Sequence, residues 1–182
     1  MRIISGQLKG RVFKSPPKGQ VRPIQDRVKG AIFNILGDKV QGAKVLDLFS
    51  GSGSFGLEAL SRGATHVTFI EDDFQLCRLI ERNLANLKVA DQGIVLRGSV
   101  ADLLKEFGTG QEMFDLVFSD PPYGQGLAEL SLRQLAEYVI LTQFGFMVVE
   151  THKKEKLPET VKDLVLWDRR DYGGTTVWFY HR

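Results

Sequence analysis

The 182-residue chain has a single cysteine, Cys77, and only three histidines. One thiol cannot close an internal disulfide, nor can it build a metal cluster alone. His66, His152 and His181 lie far apart in sequence and show no ligand spacing, so no metal site is expected. No apolar run approaches the ~18 residues a transmembrane helix needs, so no membrane association is expected. The start, Met1-Arg2-Ile3-Ile4-Ser5-Gly6, has neither a long apolar stretch nor a small-residue cleavage site, so a signal peptide is not expected. Internal repeats and low-complexity tracts are also missing. These absences point to a cytoplasmic globular protein, expected to be a monomer. What is present suffices for a core. Hydrophobic residues make up 43% of the chain and charged residues 25%, and a chain this long buries roughly 70% of its unfolded surface without a staple.

The net charge of +2 conceals an uneven distribution. Residues 1–40 carry nine Lys/Arg against two Asp/Glu, and the remainder carries fifteen against twenty. A basic head thus sits on an acidic body, which suits a polyanionic partner such as nucleic acid.

Residues 1–14 alternate around two glycine turns and read as a small basic hairpin, followed by a Pro-rich loop. This divides the chain into a basic hairpin extension over 1–20 and a main domain over 21–182. Asp26 starts a helix with Val28, Ile32, Ile35 and Leu36 at helical spacing, and Gly37 ends it. From Lys44 onward short apolar strands alternate with amphipathic helices. Strands are predicted over 45–49, 67–70, 94–96, 114–118, 146–150, 164–167 and 176–180, with helices over 57–62, 73–87, 100–107 and 127–138. Tyr172-Gly173-Gly174 is a hairpin turn. Trp167 and Trp178 read as core residues, Cys77 as a packed thiol, and Lys153 to Lys156 as a solvated loop that can brush a nucleic acid. The alternation implies an α/β, Rossmann-like fold with a mostly parallel sheet covered on both faces. Ligands of such sheets sit beyond the carboxyl ends of the strands.

Gly51-x-Gly53-x-x-Gly56 follows the first strand and opens a helix, and Glu71 ends the second strand. Glycines let the backbone approach a ligand, and an acid at the next strand end accepts hydrogen bonds from ribose hydroxyls. NAD-type dinucleotides and S-adenosylmethionine both use this pattern. Asp47, four residues before Gly51, favours the latter, since a carboxylate repels a pyrophosphate and suits a cationic group.

Asp120-Pro121-Pro122-Tyr123 follows the fourth strand. Two prolines fix two φ angles and remove two amide donors, so carbonyls face outward as free acceptors. Tyr123 can stack on a planar ring. Asp120 and the Pro121 carbonyl can accept both hydrogens of an exocyclic amine, localising its lone pair for methyl transfer. A carboxylate only accepts, so it suits guanine, whose N1–H and N2–H donors are neighbours. The target base must be unpaired or flipped out.

Together these two motifs resemble the class I S-adenosylmethionine-dependent amino-methyltransferases. Further segments narrow the resemblance. They are Met1 to Gly6, Lys9-Gly10-Arg11, Arg22-Pro23-x-x-Asp26-Arg27-Val28, Phe33 to Leu36, Leu46 to Gly53, Gly56 to Ala64 and Tyr172-Gly173-x-Thr175. In that order the chain resembles, almost end to end, the bacterial RsmD-like family that methylates a guanine N2 in 16S ribosomal RNA. The resemblance implies a seven-stranded sheet whose last strand is antiparallel. It places cofactor contacts on Asp47, Phe49, Ser50, Gly51, Ser52, Gly53, Glu71, Asp72, Ser99, Val100 and Asp120, and catalysis on Asp120, Pro121, Pro122 and Tyr123. The cofactor implied is S-adenosylmethionine, with S-adenosylhomocysteine as product. The partner implied is ribosomal RNA or a small-subunit assembly intermediate, gripped through Arg2, Lys9, Arg11, Lys14, Lys18, Arg22 and Arg27. Two departures stand out. Ser99 and Val100 occupy the place of the Asp or Asn that many methyltransferases turn to adenine, leaving backbone atoms or Asp102 as substitutes. Ile24-Gln25 occupies the place of two frequent threonines. The competing readings are a DNA adenine-N6 or protein amide-N methyltransferase with the same loop, an NAD-dependent oxidoreductase, and a non-catalytic RNA-binding module.

Overall fold

The computed structural model describes residues 1–17 and 26–182. Lys18, Arg22 and Ile24-Gln25 lie outside the described residues. Helix α1 (Asp26–Leu36) precedes a run in which β1 (Lys44–Leu48), β2 (His66–Glu71), β3 (Gly93–Arg97), β4 (Phe114–Ser119) and β5 (Leu141–His152) alternate with α2 (Ser54–Ser61), α3 (Phe74–Leu87), α4 (Val100–Gly110) and α5 (Leu127–Glu137). Strands β6 (Thr160–Val161), β7 (Leu164–Tyr172) and β8 (Thr175–His181) close the chain.

The described strands form one sheet in the order β3-β2-β1-β4-β5-β8-β7-β6. The first five strands in sequence run parallel to one another. The last strand, β8, runs antiparallel between β5 and β7. The seven longer strands are those the sequence predicts, including the reversed final strand. The addition is β6, whose two residues pair with Leu164 and Val165 and are too few to show a period.

Strands β1 and β4 lie inside the sheet, and almost every side chain they carry is buried on one face or the other. One apolar layer joins α1, α2 and α3 to the sheet through Ile32, Phe33, Leu57, Ile80 and Leu84. The other joins α4 and α5 through Leu104, Phe107, Leu132 and Leu135. The α3 start is fixed by Asp73, whose carboxylate accepts the amides of Gln75 and Leu76 at 2.6 and 3.1 Å. Cys77 is buried as expected. Trp178 is buried, but Trp167 is 45% exposed, contrary to the core assignment. The reason is a register shift between Leu166 and Asp168, which sets the indole edge-on to Phe146 and Phe179 with Lys39 over its face. Among the described residues no helix is long and apolar enough to cross a membrane.

The N-terminal hairpin is minimal, with Arg2 and Val12 forming an isolated bridge. Its Ile3 and Phe13 enter the same core as α1 to α3, so hairpin and main domain share one apolar layer. Its turn docks on α2. The amides of Ile4 and Ser5 donate to the Glu58 carboxylate at 2.8 and 3.0 Å, and Gln7 N–H donates to the Ser61 carbonyl at 2.7 Å. Gly6 permits this approach: a Cβ there would lie 1.8 Å from the Ser61 carbonyl oxygen, and its φ is +83°. Gly10 has a similar φ, +82°, but nothing within 4 Å of such a Cβ. Gly6→Ala should therefore cost about 2–3 kcal/mol in urea unfolding and Gly10→Ala about 1 kcal/mol. Equal costs at the two positions would show that the close approach carries no weight.

Candidate active site

A cavity of about 670 Å³ opens at the carboxyl ends of β1 to β4. Register explains why the chemistry gathers there. Leu48 pairs with Ile70 on one side and Ser119 on the other, so Phe49, Glu71 and Asp120 emerge at one level.

Two carboxylates organise the glycine loop from below. Glu71 accepts the Gly51 amide through Oε2 at 2.7 Å, and the Asp72 and Asp73 amides through Oε1 at 3.0 and 3.1 Å. Asp47, 2% exposed, accepts the Gly56 amide through Oδ2 at 2.9 Å. The Gly53 amide donates to the Ser50 carbonyl at 2.7 Å. Gly56 also lets α2 lie close on β2, since a Cβ there would meet the Phe69 ring at 2.2 Å. The three glycine amides are thus engaged within the protein. A dinucleotide pyrophosphate needs such amides as donors and a positive surround. This cleft offers engaged amides and two acids, an acceptor set that fits a ligand with cationic and hydroxyl groups as donors.

Burial pushes the Asp47 carboxyl up to about 8, helped by the nearby Glu71 charge and opposed by the Gly56 amide. Burial likewise raises Glu71, against the pull of the Asp73 and Gly51 amides.

The opposite wall is the Asp120-Pro121-Pro122-Tyr123 loop, all four residues of which line the cavity. The Tyr123 hydroxyl lies 3.0 Å from Glu150 Oε1 and 2.9 Å from Thr175 Oγ1. Its ring meets His152 edge-on at 5.6 Å between centroids. The Gly124 amide donates to Glu155 at 3.2 Å, which ties this loop to the segment after β5. Lys153, Lys154 and Lys156 are exposed in that segment.

The structure gathers most of the predicted cofactor residues. Asp47, Phe49, Ser50, Gly51, Ser52, Glu71, Asp72, Ser99, Val100 and Asp120 all line the cavity. Gly53 does not; it shapes the entry to α2 instead. At the β3 end the wall is Gly98 to Ala101, while Asp102 is exposed and not part of it. The basic residues lie outside the cavity lining. Arg2, Lys9, Lys14 and Arg27 are exposed. Arg11 is exposed too, but its guanidinium donates to the carbonyls of Leu87 and Asn86 at 2.9 Å each, capping the end of α3. Sequence reasoning missed Met1, Leu130 and Ser131 in the cavity wall, and it missed Glu150 and Thr175 behind Tyr123. Glu150 carried a usable signal, an acid at a strand's carboxyl end, the same one that marked Glu71.

The raised Asp47 carboxyl has a consequence for stability. The native state holds its proton more tightly than the unfolded chain, so this contribution is present below about pH 4 and is lost as pH rises to about 8. Asp47→Asn keeps an acceptor for the Gly56 amide and removes the charge. The ligand-free variant should melt about 3–6 °C higher than the native protein at pH 8, with the difference vanishing near pH 4. An unchanged melting temperature at pH 8 would contradict the assignment.

Known proteins match this chain over nearly its whole length. The family model described as conserved hypothetical protein 95 matches residues 1–181. The Bacillus subtilis protein YlbH is 38% identical over 182 residues, all of this chain and 99% of that protein. The Escherichia coli ribosomal RNA small subunit methyltransferase D is 34% identical over 182 residues, all of this chain and 90% of that protein. The solved structure of Escherichia coli yhhF superposes with a TM-score of 0.87 at 34% identity, covering 100% of this chain and 97% of that one. The fold is that of the Rossmann-like methyltransferases, and the chain belongs to the RsmD family, whose model carries the description conserved hypothetical protein 95.

Proposed function

We propose that the protein transfers a methyl group from S-adenosylmethionine to the exocyclic N2 amine of a guanine in 16S ribosomal RNA. One observation carries the reading. A single cavity has the glycine loop with Asp47 and Glu71 on one wall and Asp120-Pro121-Pro122-Tyr123 on the other. The name of the Escherichia coli relative supports the RNA substrate.

S-adenosylmethionine, when bound, supplies a methyl group on a sulfonium that is already a good leaving group. Asp47 offers an acceptor to the ammonium of the cofactor and Glu71 its remaining acceptor capacity to the ribose. Gly98 to Val100 face the adenine with backbone and small side chains. Asp120 accepts hydrogen bonds from guanine N1–H and N2–H, and the Pro121 carbonyl accepts the second amine hydrogen. These acceptors draw electron density onto the nitrogen, and Asp120 is placed to take the surplus proton. Tyr123 stacks on the base. Arg2, Lys9, Lys14 and Arg27 hold phosphates, each acting as a charge rather than a reader of sequence. Arg11 adds its charge while capping α3, and Arg22 belongs to the same basic segment.

The test is transfer of labelled methyl to assembled small subunits, free 16S ribosomal RNA, DNA and protein, followed by nucleoside analysis. N2-methylguanosine from an RNA substrate is expected, and Asp120→Asn should lower its rate by about 10²-fold or more. Label found only in N6-methyladenine of DNA or in protein would overturn the reading. So would full guanine activity in Asp120→Asn.

A further inference from the structure

We propose that Glu150 and Thr175 are positioning residues that set the plane of the Tyr123 ring before the target base arrives. The proposal rests on the guanine-methylation reading above. Glu150 is 2% exposed and Thr175 is 7% exposed. They sit on the antiparallel pair β5 and β8, where Glu150 is in register with Val177 and His152 with Thr175. Tyr123 sits in a turn, and its hydroxyl ties that turn to the paired strands β5 and β8.

The order of donors follows from the chemistry. A phenol has one proton, and a carboxylate only accepts. Tyr123 therefore donates to Glu150 Oε1 at 3.0 Å, and the Thr175 hydroxyl at 2.9 Å donates to the phenol oxygen. The His152 ring edge at 5.6 Å and the Gly124 amide on Glu155 restrain the same loop from other sides. A stacking ring held at its tip and at its backbone is ordered in advance. A ring held only at its backbone must be ordered by the incoming base, which takes free energy from the productive complex. The basic residues proposed to hold phosphates lie outside the cavity lining and set how tightly RNA binds, so the effect belongs to kcat rather than KM.

The experiment compares Tyr123→Phe, Glu150→Ala, Glu150→Gln, Thr175→Val and the Tyr123→Phe/Glu150→Ala pair. Methyl transfer to small-subunit RNA is measured alongside titration with S-adenosylhomocysteine, which counts folded sites. Tyr123→Phe and Glu150→Ala should each lower kcat per folded site by about 10-fold, with KM for the RNA changed less than about two-fold. Glu150→Gln, which still accepts from the phenol, should recover most of the loss. The double variant should be no slower than the slower single, because both changes break one interaction. Losses that multiply in the double variant, or a Glu150→Ala enzyme with native kcat, would overturn the proposal. If Glu150→Ala does not fold, Thr175→Val replaces it in the same cycle with Tyr123→Phe and is judged by the same two outcomes. Native protein that binds S-adenosylhomocysteine yet makes no N2-methylguanosine removes the guanine reading, and the proposal with it, before any variant is compared.

Discussion

The Glu58 carboxylate is wholly buried, and the arrangement of the two ends of this molecule depends on it. It accepts the Ile4 and Ser5 amides from the hairpin and the Arg62 guanidinium at 2.9 Å from its own helix. The Lys29 ammonium, also wholly buried, lies 3.7 Å away and donates to Ser54 at 2.9 Å. Burial pulls Lys29 below the ordinary lysine range, and the Glu58 charge pulls it back. A buried charge stripped of its partners is strongly destabilising. The hairpin, α1 and α2 therefore meet in one way. Because α2 rises directly from the glycine loop, the basic head is held in a set position beside the cofactor cleft.

The cleft itself is built against stability. Asp47 and Glu71 are neighbouring buried acids, each raised by burial. Their backbone amide partners offset part of that cost and at the same time give the glycine loop its shape. A site that costs stability in this way is a common trade for function. Asp47 and Glu71 are thus buried at the cleft, while Arg2, Lys9, Lys14 and Arg27 are exposed on the N-terminal segment and the start of α1.

Much of this was legible in the residues. Strand and helix alternation showed because the apolar periods are strong, and a parallel sheet puts its ligands at strand ends, which singled out Asp47, Glu71 and Asp120. What stayed hidden involves partners remote in sequence. Tyr123 meets Glu150 and Thr175 across 27 and 52 residues, and Arg11 meets Leu87 across 76. Charge alone reads Arg11 as a phosphate contact, and the structure adds that its guanidinium caps the end of α3. Trp167 looked like core because aromatic strand residues usually are, and a local register shift moved it outward. Glu58 offered a hint that went unread. It is a lone acid in a helix whose eight residues are all buried, and such an acid must find donors.

We propose that one body carries the cofactor cleft and, apart from it, a basic surface for RNA, joined through Glu58. The most direct measurement replaces Arg2, Lys9, Lys14 and Arg27 together with glutamine and follows both ligands. S-adenosylhomocysteine affinity should stay within about two-fold of native. Binding of 16S ribosomal RNA should weaken, and its dependence on log salt concentration should flatten by about three to four units. An unchanged salt slope, or a parallel loss of S-adenosylhomocysteine binding, would contradict the account.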